Sequence, residues 1–250
     1  MDFDKKSPID IIINSHYHED HFAFNYLFPE AELYVHENDA QCFSSAERIL
    51  ECYGVYGSKN QQYWLDYIIN NFNYRERVPA KELADGDILD FGKTKLDVIH
   101  TPGHTEGHSC FYCADEGVLF MGDLDLTPFG PWYGDAVSDI DATIKSVRRL
   151  LQYRADIYVT SHESGIIKGD INKLAQSYLS VIEERDEKIL KFLDKPRKIY
   201  EIVNQWLIYK KPREPREFYL FMEDAMVKKH LDRLVKNGKV DFTDDEYFLK

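Results

Sequence analysis

The sequence is poor in positive charge. Its 250 residues carry 31 Lys and Arg against 44 Asp and Glu, a formal net charge of −13 at pH 7. So acidic a surface repels phosphate and excludes a protein that grips nucleic acid along its whole face, although a local basic patch stays open. Cysteine is scarce as well. Cys42, Cys52, Cys110 and Cys113 are too few for a disulfide scaffold, and the chain is long enough not to need one. No apolar run approaches the roughly 20 residues that span a bilayer, and no basic start leads into an apolar stretch of the secretory kind. These absences predict a cytoplasmic protein with reduced thiols and no membrane partner. Internal repeats and low-complexity tracts are also missing, and the charged residues are spread along the chain and not gathered in long blocks, which argues against disorder.

What the chain does have is apolar and aromatic: 44 % hydrophobic and 14 % aromatic residues, enough for one sizeable packed domain with a small appendage. Its charge is uneven. From residue 191 onward, 14 Lys and Arg face 11 Asp and Glu, near +3, whereas the first 190 residues carry 17 against 33, or −16. That shift predicts a first domain at 1–190 and a second at 191–250.

Ile9 to Asn14 reads as a buried strand, Phe22 to Phe28 as a helix, Leu33 to His36 as a strand, and 38–74 as helix broken near Gly54 and Gly57. Strands follow at 88–91, 95–100, 109–113, 117–121 and 157–160, with an amphipathic helix at 139–153 and a long helix at 170–193. Cys110-Phe-Tyr-Cys113 has CxxC spacing. On a strand, however, residues three apart point to opposite faces, which predicts core cysteines and not a redox or zinc pair. After Pro196, three helical pieces (200–207, 218–222, 226–236) and two short strands suggest a winged helix.

The chemistry concentrates in His16-Tyr-His18-Glu-Asp20-His21. In chain leaving a strand, residues two apart point the same way, so His16 and His18 can grip one ion. Asp20 and His21 open the next helix and point toward a second position. Imidazole and carboxylate suit zinc, and also iron and manganese. His104, Asp123 and His162 each follow a predicted strand, and strand ends gather along one rim in folds of this kind. His108 and His100 read as loop or supporting groups, Asp85 and Asp87 as turn residues beside Gly86, while His36 and His230 carry no signal. Trp132 and Tyr133, shortly after Asp123, are candidates for a substrate-pocket wall, as is the aromatic stretch 53–74.

This HxHxDH motif, followed in order by a His, an Asp and a His, resembles the metallo-β-lactamase superfamily from about residue 9 to about 170, the TPGHTEGHS segment at 101–109 included. The resemblance implies an α/β fold, the four-layer αββα sandwich, with two divalent metal ions at its rim. His16, His18 and His104 would bind one, Asp20, His21 and His162 the other, and Asp123 would bridge them. It implies a hydrolase of thioesters, lactones or related carboxylic esters that activates a water between the metals, with Asp20 orienting it. Flavodiiron relatives carry Glu where His18 stands, which turns the resemblance away from that redox branch; mononuclear iron dioxygenases of the fold keep the same residues.

The C-terminal segment is similar to the winged-helix extension of LACTB2-like hydrolases, some of which act on RNA. A metal-dependent ribonuclease or phosphodiesterase is therefore the alternative, and a non-catalytic metal-binding module a further one. The partner expected is a small-molecule substrate, with nucleic acid less favoured. The family's opening strands are not found ahead of His16. The expectation is a chain truncated there or a fold completed differently, with an uncovered sheet edge that could support a homodimer.

Overall fold

The computed structural model describes residues 9–163 and 165–250, so the first eight residues of the predicted first domain lie outside it. The β-branched run condenses into β1 (Ile11–Ile13), parallel to β2 (Glu32–His36), which is parallel in turn to β3 (Lys81–Leu83). Parallel neighbours need crossovers. The first is α1 (Glu19–Phe22) with a 3-10 turn at Asn25–Leu27, where one helix over 22–28 is predicted. The second is α2 (Ala40–Ser44), α3 (Ala46–Cys52) and α4 (Gln61–Phe72). Leu33 and Val35 of β2 pack with Phe43, Ile49, Leu50 and Ile68 of these helices.

The second sheet runs β4 (Ile88–Asp90), β5 (Lys95–His100), β6 (Ser109–Cys113) and β7 (Val118–Gly122), antiparallel in succession. α5 (Ile140–Leu150) then crosses to β8 (Ile157–Thr160), parallel to β7, and β9 (Ile166–Lys168) closes the order antiparallel to β8. Both faces of this sheet are covered. Val98 and Phe111 meet Leu83, Ile13 and Tyr34 of the first sheet. Ile99, Cys110, Leu119 and Met121 face Val147 and Leu150 of α5 and Tyr178 of α6 (Asn172–Phe192). The layers are helix, sheet, sheet, helix: the αββα sandwich. All four cysteines are free and buried. β3 and β9 escape prediction because Lys-Glu-Leu and Ile-Ile-Lys are too short to show a period.

Asp139 starts α5 by accepting a hydrogen bond from the Ala142 N–H at 2.7 Å. Asp139→Ala leaves that N–H unpaired and is expected to cost about 1 kcal/mol, read by urea denaturation.

Beyond α6 come α7 (Ile199–Val203) and α8 (Arg216–Lys236), then β10 (Val240–Thr243) antiparallel to β11 (Glu246–Leu249). The two helical pieces predicted at 218–222 and 226–236 are one helix. Glu223 interrupts the apolar pattern, yet it is fully buried, accepting the N–H groups of Ile208 and Tyr209 at 2.9 Å each. Met226, Val227, Leu231 and Leu234 of α8 share one apolar cluster with Ile140 of α5 and Ile182 and Ile189 of α6.

Candidate metal centre

Strand ends of both sheets deliver the seven predicted residues to one place. Ligand atoms of His16, His18, His104 and Asp123 lie within 4.8 Å of one another, and so do those of Asp20, His21 and His162. Asp123 touches both groups. Its Oδ2 is 3.3 Å from His104 Nε2, 3.2 Å from His162 Nε2 and 3.9 Å from His16 Nε2; its Oδ1 is 2.9 Å from His21 Nε2. Asp20 Oδ2 lies 3.3 Å from His162 Nε2.

This arrangement fits cations better than it fits itself. His16 Nε2 and His104 Nε2 face each other at 3.2 Å, two like nitrogens with at most one proton to share. His21 Nε2 and Asp123 Oδ1 are buried, and neither makes a well-formed hydrogen bond despite their proximity. Buried polar atoms left this way are costly unless something else binds them. Imidazole and carboxylate are the donors that divalent zinc, iron or manganese accept.

Outer hydrogen bonds aim the rings. The His104 Nδ1–H donates to the Trp132 carbonyl at 3.0 Å, which leaves Nε2 bare toward the site. Ser15 Oγ lies 3.0 Å from His16 Nδ1 and 3.2 Å from His21 Nδ1, positioned to accept from both. The His18 Nε2–H donates to Asp135 at 2.8 Å, so Nδ1 is its free donor; Asp135 also accepts the Tyr17 hydroxyl. His108 is buried between Thr101 Oγ1, 2.8 Å from its Nδ1, and the Asp123 N–H, which donates to its Nε2 at 3.1 Å. That N–H holds the carboxylate's backbone in place.

Burial lowers the His16 imidazole well below its usual range, reinforced by the nearby His21. Burial, with His104 beside it, takes His108 to about 3. Burial also works against a charged His18, but Asp135 outweighs it and raises the ring to about 9. For Asp123 the burial penalty is overcome by His16, His104, His162 and His21, which hold the carboxyl well below the ordinary range. A bound cation would displace the protons these rings share.

Gly122 precedes Asp123 at φ +55°, and a Cβ there would stand 2.6 Å from His108 Nε2. Gly122→Ala therefore combines backbone strain with a clash against the ring that holds Asp123. It is expected to cost about 1–3 kcal/mol in thermal unfolding and to weaken metal retention.

A cavity of about 290 Å³ opens beside the cluster. Trp132 lines it, its ring 5.3 Å from that of His18 and 5.5 Å from that of His104. Tyr133 does not. It is fully buried on the other side of the chain, its hydroxyl 2.7 Å from His230 Nε2 and 2.8 Å from Arg185 Nη1. Tyr53 and Trp64, from the aromatic stretch, do line the cavity, and Phe218, Phe221 and Met222 of α8 join them unpredicted. Asp135 was also unforeseen; Gly-Asp-Ala-Val in sequence gives no sign that this carboxylate reaches His18.

A family model described as the metallo-beta-lactamase superfamily matches residues 4–162. A hydroxyacylglutathione hydrolase of Maricaulis maris is 43 % identical over 51 residues, 20 % of each chain. One from Gloeobacter violaceus is 32 % identical over 117 residues, 45 % of this chain and 33 % of the relative. The acyl-coenzyme A thioesterase MBLAC2 of Bos taurus is 41 % identical over 46 residues, 18 % of this chain and 16 % of the relative. The matched stretches thus span a third or less of these relatives' length. Among solved structures, a metallo-beta-lactamase family protein from Thermus thermophilus superposes with a TM-score of 0.75 at 25 % identity, over 96 % of this chain and 80 % of that one. A beta-lactamase domain protein from Burkholderia ambifaria gives 0.68 at 18 % identity, over 97 % and 76 %, a likeness of fold.

Proposed function

The chain belongs to the metallo-β-lactamase superfamily, and from that premise we propose that it is a two-metal hydrolase of thioesters, with lactones and related carboxylic esters as the neighbouring substrates. Membership makes it a hydrolase of this fold and implies divalent metal ions. The observation that carries the finer reading is the single Asp123 carboxylate, which faces ligand atoms of both clusters beside an aromatic-walled cavity.

In this reading His16, His18 and His104 hold one ion, Asp20, His21 and His162 hold the other, and Asp123 serves both. Zinc is the proposed metal, and iron or manganese suits the same donors. Such a pair, when bound, lowers the pKa of water toward neutrality and polarises an ester carbonyl. The chain supplies the positioning. Asp20 orients the attacking water, and Trp132 closes the side of the cavity next to His18 and His104. Residues 1–190 are proposed as the catalytic unit and 191–250 as a winged-helix-like unit that lends α8 to the cavity.

Carboxylic thioesters are preferred to phosphodiesters because no Lys or Arg lines the cavity among the described residues. A phosphate would meet no ammonium or guanidinium group there. The relatives named hydroxyacylglutathione hydrolase and acyl-coenzyme A thioesterase support the same choice. The test is a panel of thioesters, lactones and single-stranded RNA with the metal-supplemented chain. Thioester hydrolysis that a chelator abolishes and zinc restores is expected. RNA cleavage without thioester turnover would replace the reading.

A further inference from the structure

The cavity has a wall that the hydrolytic machinery does not use. Phe218, Phe221 and Met222 of α8 line it together with Trp64 of α4. The Trp64 ring lies 5.5 Å from that of Phe218 and 5.4 Å from that of Phe221, so the two helices meet in one aromatic cluster. This apolar part is continuous with His18, His104 and Asp123 in the same cavity.

The charged groups lining that cavity are, apart from the imidazoles, carboxylates: Glu19, Asp20, Asp123, Asp125 and Asp135. Of the cations near it, Arg213 lies over the ring of the lining Tyr209, 5.3 Å from its centroid, and two others are tied to the chain. Lys229 Nζ donates to the carbonyls of Ala136 and Ser138 at 2.6 and 2.7 Å. The Arg185 guanidinium donates to the carbonyls of Pro131 and Phe129 and to the Tyr133 hydroxyl. With Asp20 and Asp123 assigned to the metals and Asp135 to His18, only Glu19 and Asp125 are left to face a substrate. A group entering between α4 and α8 therefore meets apolar surface, which rewards buried carbon, and, among the described residues, no lining Lys or Arg to hold an anion. A short polar acyl group would leave the aromatic wall unfilled.

We propose that the acyl group of the substrate is a bulky, uncharged, apolar chain or ring, seated between Trp64 of α4 and Phe218, Phe221 and Met222 of α8, which select it. The proposal rests on the thioesterase reading for the bond that is cleaved. It does not need that reading for the fit of the acyl group.

The test compares N-acetylcysteamine thioesters of acetic, succinic, octanoic and phenylacetic acids, which share one leaving group. Octanamide and succinamate serve as uncleaved probes, their binding read by quenching of tryptophan fluorescence from Trp64 and Trp132. Octanoyl and phenylacetyl thioesters are expected to exceed acetyl about tenfold or more in kcat/KM, with succinyl no better than acetyl. Octanamide should quench and succinamate should not. Phe221→Ala should lower the octanoyl-to-acetyl ratio by about tenfold, Phe221→Leu should recover much of it, and the remote Phe91→Ala should leave it alone. Met222→Lys should raise succinyl relative to octanoyl.

Thioester turnover that is indifferent to acyl length, or that favours succinyl, overturns the acyl assignment and leaves the thioesterase standing. Binding of octanamide with no thioester turnover does the reverse. Failure of octanamide to quench the fluorescence also overturns the assignment.

Discussion

Asp123→Ala is expected to lower hydrolysis on the order of 10³-fold or more, since a metal centre supplies several kcal/mol of transition-state stabilisation. It is also expected to remove at least one metal ion per chain. One carboxylate lies within 4 Å of four imidazoles drawn from both clusters. Without it, His16 Nε2 and His104 Nε2, 3.2 Å apart, lose their nearest counter-charge, and among the described residues no other carboxylate pairs with imidazoles of both groups. Asp123→Asn keeps the shape but not the charge and should fall nearly as far. Circular dichroism separates this loss from unfolding, and metal analysis on the same sample gives the second readout. The metal-free protein should also respond to pH through this residue. Because the folded carboxyl is held below its ordinary range, its stabilising contribution is present above that range and is lost as pH falls through the folded value. Asp123→Ala should flatten the acid side of the stability curve.

The second large effect comes from a residue that touches no metal. Asp135→Ala is expected to weaken metal binding by about 10–100-fold, the usual consequence of removing the group that orients a ligating imidazole. Asp135 holds His18 through Nε2 at 2.8 Å and takes the hydroxyl of the buried Tyr17. Its own N–H donates to Ser138 Oγ, which in turn donates to the His104 carbonyl at 2.7 Å. The stretch 132–138 therefore braces His18 and His104, two proposed ligands of the same ion. Asp135→Asn can still accept from both donors but forfeits the charge that raises His18, so it should cost less than alanine. Competition with a coloured chelator measures the difference, and equal affinities for wild type and Asp135→Ala would remove the bracing role.

The seven clustered residues were legible because their geometry is local. Four of them sit in six consecutive residues at the end of β1, and the other three follow strands whose ends share a rim. Groups that act across the chain were not. Asp135 reaches His18 over 117 residues, and nothing around it in sequence distinguishes it from a surface loop carboxylate. Trp132 and Tyr133 looked equivalent as pocket aromatics. Only Trp132 lines the cavity, however, at the edge of the core cluster of α5, α6 and α8, while Tyr133 is buried inside that cluster. The same limit hid the wall of the cavity. Phe218, Phe221 and Met222 belong to a helix whose continuity depends on burying Glu223 against the Ile208 and Tyr209 amides, a tertiary compensation invisible to periodicity. In the sandwich itself, long strands such as β5 and β6 showed their period, while the three-residue β3 and β9 had none to show.

The most direct test of the two-metal account is the metal content of the folded chain by native mass spectrometry after zinc supplementation, with Asp123→Ala alongside. Two ions per wild-type chain and fewer in the variant are the predicted result. A folded, zinc-supplemented wild-type chain that carries no ion, or one ion that Asp123→Ala leaves in place, would contradict it.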